Sequence, residues 1–118
     1  MTETTSGQVA DIDDVLLRRF TYEYPKVFAK FTAEDCAICT ALAPCFAHLV
    51  AEPANAGILF VRLSVKENPV AQQLMQERRA PFFVSYCQGR LLECDALTTE
   101  LEVVDQLARL RAFLLAPP

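Results

Sequence analysis

No run of lysine or arginine, no tract of low complexity and no internal repeat occurs in this chain of 118 residues. Without a basic stripe there is no electrostatic footprint for nucleic acid, and the formal net charge of −4 says only that the chain suits water. Long apolar runs are missing too. The longest stretches, such as 57–61, are far too short to cross a bilayer. A secretory signal starts with basic residues and continues into an apolar stretch, whereas residues 1–10 are largely polar, with Thr, Glu, Ser and Gln. These absences lead us to expect a cytoplasmic protein with no membrane and no nucleic-acid partner.

What is present is the composition of a packed domain. Apolar residues make up 53% of the chain and charged residues 22%, a balance that favours a core over disorder. The length suits one domain. We expect a flexible tail at 1–9, a domain at 10–118 and a monomer. The chain has five cysteines: Cys36, Cys39, Cys45, Cys87 and Cys94. An odd number with no secretory signal argues against a disulfide framework. In a reducing compartment, cysteines are core residues, catalytic groups or metal ligands. We assign Cys45, Cys87 and Cys94 to the core or its margin, with a regulatory thiol or a dimer link as the alternative.

Apolar periodicity gives the coarse organisation. Ile12, Val15, Leu16 and Phe20 fall at helical spacing within 10–22, and Tyr24-Pro25 ends that helix. Residues 27–31 form an apolar strand interrupted by Lys30. The segment 36–51 is helical, with Leu42, Cys45, Phe46, Leu49 and Val50 facing inward. A second buried strand covers 58–63. Pro69 suits the first turn of a helix running to about Arg78. Strands at 81–87 and 90–94 flank the turn Gln88-Gly89. Thr99 and Glu102 fit a capping box, followed by a stripe of Leu101, Val104, Leu107, Leu110 and Leu114. The pattern predicts an α/β domain whose first two strands are parallel and whose last two form a hairpin, with helices on both faces.

Cys36-Ala37-Ile38-Cys39 lies directly after a buried strand and opens a helix. That context makes a C-x-x-C pair a strong redox signal. A sulfur at a helix N-terminus faces unpaired N–H groups and the positive end of the helix dipole, and both favour thiolate over thiol. Cys36 is the expected nucleophile. Cys39, one turn further on the same side, is placed to resolve a mixed disulfide formed at Cys36. The rival chemistry is zinc, through Cys36, Cys39, Cys45 and His48, whose ligand types are right. Helical geometry opposes it. Positions nine apart, such as Cys36 and Cys45, point about half a turn away from each other, so the site needs a helix broken near Pro44.

From Val27 onward, roughly three quarters of the chain, the sequence resembles thioredoxin. Besides the cysteine pair, Pro44, Glu67-Asn68-Pro69, Ala80-Pro81 and Gly89 occur in the order and spacing of that family. The resemblance implies a thioredoxin-like fold with a cis peptide at Pro81, and a substrate groove lined by Ala80 and Pro81. It also implies dithiol–disulfide exchange with protein substrates, an external reductase, and no bound cofactor or metal. The departures are specific. Asp35 replaces the family's Trp before the nucleophile, and its charge opposes the thiolate. Ile38 replaces a proline. Lys30 stands where the family has a buried acid; either its cation favours a thiolate or its stem snorkels to the surface. Arg79 is placed to offset Asp35 or is simply solvated. Phe82 and Phe83 belong to the core, with an apolar lip of the groove as the alternative. No pattern for the family's first strand precedes residue 10, so a mixed four-stranded sheet is expected. A non-catalytic module that binds partners through the same groove is the alternative function.

Overall fold

The computed structural model describes residues 9–34, 36–66 and 80–115. Within them the elements are β1 (Val9–Asp11), α1 (Asp14–Glu23), β2 (Lys26–Thr32), α2 (Ala37–Ala51), β3 (Ile58–Ser64), β4 (Phe82–Cys87), β5 (Arg90–Ala96) and α3 (Glu100–Ala112), with a short 3-10 turn at Pro53–Asn55. The expected helix from Pro69 to Arg78 lies outside the described residues, as do Glu67, Asn68 and most of the expected N-terminal tail.

The sheet has five strands in the order β1-β3-β2-β4-β5, not four. Val9 is therefore not part of a tail. It begins a strand that pairs in parallel with β3, Val9 opposite Phe60 and Asp11 opposite Arg62. Three residues are too few to display an alternation, which is why no strand pattern precedes residue 10 in the sequence. The pair β2–β3 is parallel, with Lys30 opposite Arg62, as a helical connection requires. The pairs β2–β4 and β4–β5 are antiparallel.

Local signals explain the boundaries. Asp13 caps α1, its carboxylate accepting from the Leu16 N–H at 2.9 Å. Tyr24 leaves the helix in an extended conformation, as a residue before proline must. Gln88 and Gly89 both have positive φ, the geometry of a two-residue hairpin turn. A side chain at Gly89 would also meet the ring of Tyr22 at 3.1 Å. Thr99 and Glu102 form the expected reciprocal capping box at the start of α3.

Two cores flank the sheet. On one face Phe28, Phe60 and Phe83 pack against Leu42 and Phe46 of α2 and Leu107 and Leu110 of α3. On the other, Val27, Ala29, Phe31 and Val84 pack with Leu17 of α1. Phe82 and Phe83 are fully buried, which places both in the core. Phe28 is the hub of the first core, with ring centroids 5.7 Å from Phe60 and Phe83 and 5.9 Å from Phe46.

Two helix faces differ from the expected stripes. On α1 the buried apolar residue is Leu17, while Val15 is exposed. On α3, Leu101 is 70% exposed, whereas Leu114, 86% exposed, lies past the end of the helix, and the inward face is Val103, Gln106, Leu107 and Leu110. That set has the i, i+3, i+4, i+7 spacing of an amphipathic helix. Its polar member hides it from a reading by apolarity. Gln106 is buried because its amide N–H groups donate to the Phe83 carbonyl at 3.1 Å and the Ser85 hydroxyl at 2.9 Å.

Candidate functional site

The site is built where β2 ends and α2 begins. Cys36 is the N-cap of α2, in extended conformation. Its sulfur takes the place that a Ser, Thr or Asp oxygen usually holds, accepting from the Cys39 N–H at 3.1 Å. Its carbonyl starts the helix by accepting from the Thr40 N–H at 3.2 Å. The same turn brings Cys39 back to Cys36, and the two sulfurs are joined in a disulfide with a Cα–Cα distance of 5.2 Å. That separation lies within the normal range for a bridge. Cys36 is half-buried and Cys39 is 7% exposed. Cys36 is thus the more accessible residue of the pair, and Cys39 the more shielded.

The other wall comes from the chain entering β4. The Ala80–Pro81 peptide is cis. It turns the Ala80 carbonyl towards the active pair, 3.6 Å from the Cys36 sulfur. Pro81 is buried and Ala80 half-buried. Ile38, between the two cysteines, is exposed. A backbone carbonyl therefore flanks the Cys36 sulfur, and an exposed apolar side chain stands on the same helical turn. Sequence reading missed the rim ion pair of Lys66 with Glu34, at 3.3 Å. Its partners are 32 residues apart, and no local spacing links them.

Lys30 does not snorkel. It lies on the face of β2 that looks onto α2, is 1% exposed, and donates to the Cys39 carbonyl at 3.0 Å. Its nitrogen also stands over the Phe46 ring, 5.6 Å from the centroid. Burial, followed by repulsion from Arg62, pushes the Lys30 pKa below its ordinary value. The guanidinium of Arg62 is held by both carboxylate oxygens of Asp11, at 2.6 and 2.9 Å. Asp35 and Arg79, expected to modulate the pair, lie outside the described residues.

Cys45, Cys87 and Cys94 form no disulfide among the described residues. Cys87 is buried in the first core, and Cys45 and Cys94 are half-buried. Burial, more than the charge of Glu100, pushes the Cys45 thiol pKa up, so it is not an activated thiol. The helix α2 runs unbroken through Pro44 to Ala51, and His48 is exposed on it. The break that a zinc site at Cys36, Cys39, Cys45 and His48 requires is not made there. Among the described residues no group of three or more His, Cys, Asp or Glu side chains is placed to hold a metal ion. No helix among them is long and apolar enough to cross a membrane.

A mixed sheet with this strand order, a cysteine bridge at the N-terminus of α2 and a cis-proline beside it define the thioredoxin-like α/β fold. Solved structures agree. A thioredoxin from Malassezia sympodialis superposes with a TM-score of 0.77 at 22% identity, over 95% of this chain and 98% of that one. A mutant thioredoxin from Halobacterium salinarum gives 0.78 at 18% identity, over 96% and 99%. A structure of thioredoxin f2 in complex with ferredoxin:thioredoxin reductase gives 0.73 at 18%, over 92% and 99%. At these identities the likeness establishes the fold. No protein-family model matches the chain, and no curated protein matches it in sequence.

Proposed function

We propose that this protein is a thiol–disulfide oxidoreductase acting on protein disulfides, with Cys36 as nucleophile and Cys39 as resolving thiol. The observation that carries the reading is the N–H of Cys39 directed at the Cys36 sulfur from the first turn of α2. A hydrogen bond to a sulfur stabilises its anion more than its thiol, and the helix N-terminus adds to the effect. The thiolate is the nucleophile of disulfide exchange.

The reaction starts from the reduced pair. The Cys36 thiolate attacks one sulfur of a substrate disulfide, that S–S bond breaks, and one substrate thiolate leaves. Cys39 then loses its proton and attacks the Cys36 sulfur. The mixed disulfide breaks, the second substrate thiolate leaves, and the domain closes to the Cys36–Cys39 bridge. Two electrons pass to the substrate, and the protons given up by the two cysteines balance those taken by the substrate thiols. Both electrons reside on sulfur, so the step uses no bound cofactor. The cis turn at Ala80–Pro81 offers its backbone to the extended substrate chain beside Cys36. An external dithiol reductase restores the pair, a role consistent with the complex in which thioredoxin f2 is found with its reductase. The protein acts as a monomer in the cytoplasm.

Disulfide-reduction assays on variants test the assignment. Cys36→Ser abolishes turnover. Cys39→Ser retains attack but not resolution, and accumulates a mixed disulfide visible by non-reducing electrophoresis and mass spectrometry. Full turnover by Cys36→Ser contradicts the mechanism. A wild-type protein that binds partners without turnover points instead to a binding module on the same scaffold.

A further inference from the structure

The exchange written above from the reduced pair is reversible; which direction the site favours is set by the relative stability of its reduced and oxidised forms, and Lys30 bears on it. We propose that Lys30 is a buried cation that stabilises the reduced, thiolate-bearing form of the Cys36–Cys39 pair and so biases the protein towards accepting electrons from partner dithiols. The inference rests on the oxidoreductase assignment above.

A buried cation is costly unless an anion compensates it. Among the described residues no carboxylate pairs with Lys30. Among the described residues, three elements supply the groups facing it. From β3 comes Arg62, a second cation whose charge Asp11 already compensates. From β4 comes Phe83, which is uncharged. From α2 come the Cys39 carbonyl, the Phe46 ring and Cys45, whose thiol burial keeps protonated. The ammonium is thus fixed at the first turn of α2 by a hydrogen bond to the resolving cysteine's own carbonyl. Among the described residues, the anion that can form beside it is a thiolate of the active pair, and that anion exists only after reduction.

Reduction is balanced as follows. A partner dithiol gives two electrons and two protons and closes to a disulfide. The Cys36–Cys39 bond takes both electrons and breaks. One proton goes to Cys39, and the other goes to solvent while Cys36 remains a thiolate. A cation near the pair lowers the free energy of this product and not of the neutral disulfide. Stabilising the reduced form makes a couple more oxidising.

The test is a redox titration of the full chain against a dithiol/disulfide buffer, for wild type, Lys30→Met and Lys30→Gln, with the Cys36 thiol pKa read from thiolate absorbance. Lys30→Gln keeps a donor for the Cys39 carbonyl without the charge, and serves alone if the Met variant does not fold. Both variants are expected to favour the disulfide about tenfold more, a potential about 30 mV more negative, and to raise the Cys36 pKa. If neither variant moves the potential, or only Lys30→Met does, charge at this position does not set the couple. A wild-type protein with no reversible couple overturns the oxidoreductase assignment itself, whereas a normal couple indifferent to residue 30 overturns only this inference.

Discussion

Sulfur is a weak hydrogen-bond acceptor as a thiol and a strong one as a thiolate. A cysteine at an N-cap therefore converts helix geometry into acidity, and Cys36 occupies that position in α2. This much was legible from the sequence, because a C-x-x-C pair straight after an apolar strand can hardly lie anywhere else. The burial of Lys30 was not. Its partner is the carbonyl of Cys39 on another element, and a carbonyl leaves no trace in residue type. A second buried group yields a prediction at this scale. Burial, then the nearby Cys94 and Asp14, push the Tyr86 phenol up to about 12. Its pKa is raised on folding, so its contribution is fully present below the ordinary phenol value and is lost as pH climbs through the folded one. Between about pH 10 and pH 12, wild type should lose up to about 3 kcal/mol relative to Tyr86→Phe. Urea unfolding of both proteins across that range measures the difference, and parallel pH profiles would contradict the assigned burial of the phenol.

Elements are defined as much by their ends as by their faces. The capping box at Thr99 and Glu102 was readable because both partners lie within one turn, and the structure contains both halves. The Glu102 carboxylate accepts from the Thr98 and Thr99 backbone N–H groups at 3.0 and 3.2 Å. These bonds, that to Thr98 first, hold its pKa below the ordinary value. Thr99→Ala is expected to cost about 1 kcal/mol in urea unfolding while leaving the redox couple unchanged. Faces were harder to read. Apolarity alone placed Leu101, Val104 and Leu114 on the inner stripe of α3, whereas the packed stripe passes through Gln106. A buried amide satisfied by β4 cannot be told from a surface glutamine until β4 is in place. Likewise β1 is a strand because β3 offers it an edge, not because its three residues demand it.

For the molecule as a whole, the parallel β2–β3 pair, the antiparallel hairpin and helices on both faces followed from the order of periodic segments. The fifth strand did not, since pairing with a distant edge is a tertiary decision. The sheet acts as the rigid base of the site. Through its central strand β2 it carries Phe28 in the core and Lys30 beneath Cys39, on the same face. Phe28→Ala should destabilise the fold by roughly 3–5 kcal/mol in denaturant titration, a large share of the 5–15 kcal/mol typical of a domain. The central claim is narrower than the fold: the bridge between Cys36 and Cys39 is a working two-electron couple. The most direct test is a redox titration with thiol counting on wild type and Cys36→Ser. A reversible transition that releases two thiols is expected in wild type, and none in the variant. A wild-type protein whose pair stays oxidised or stays reduced across the accessible range of potentials would contradict that claim.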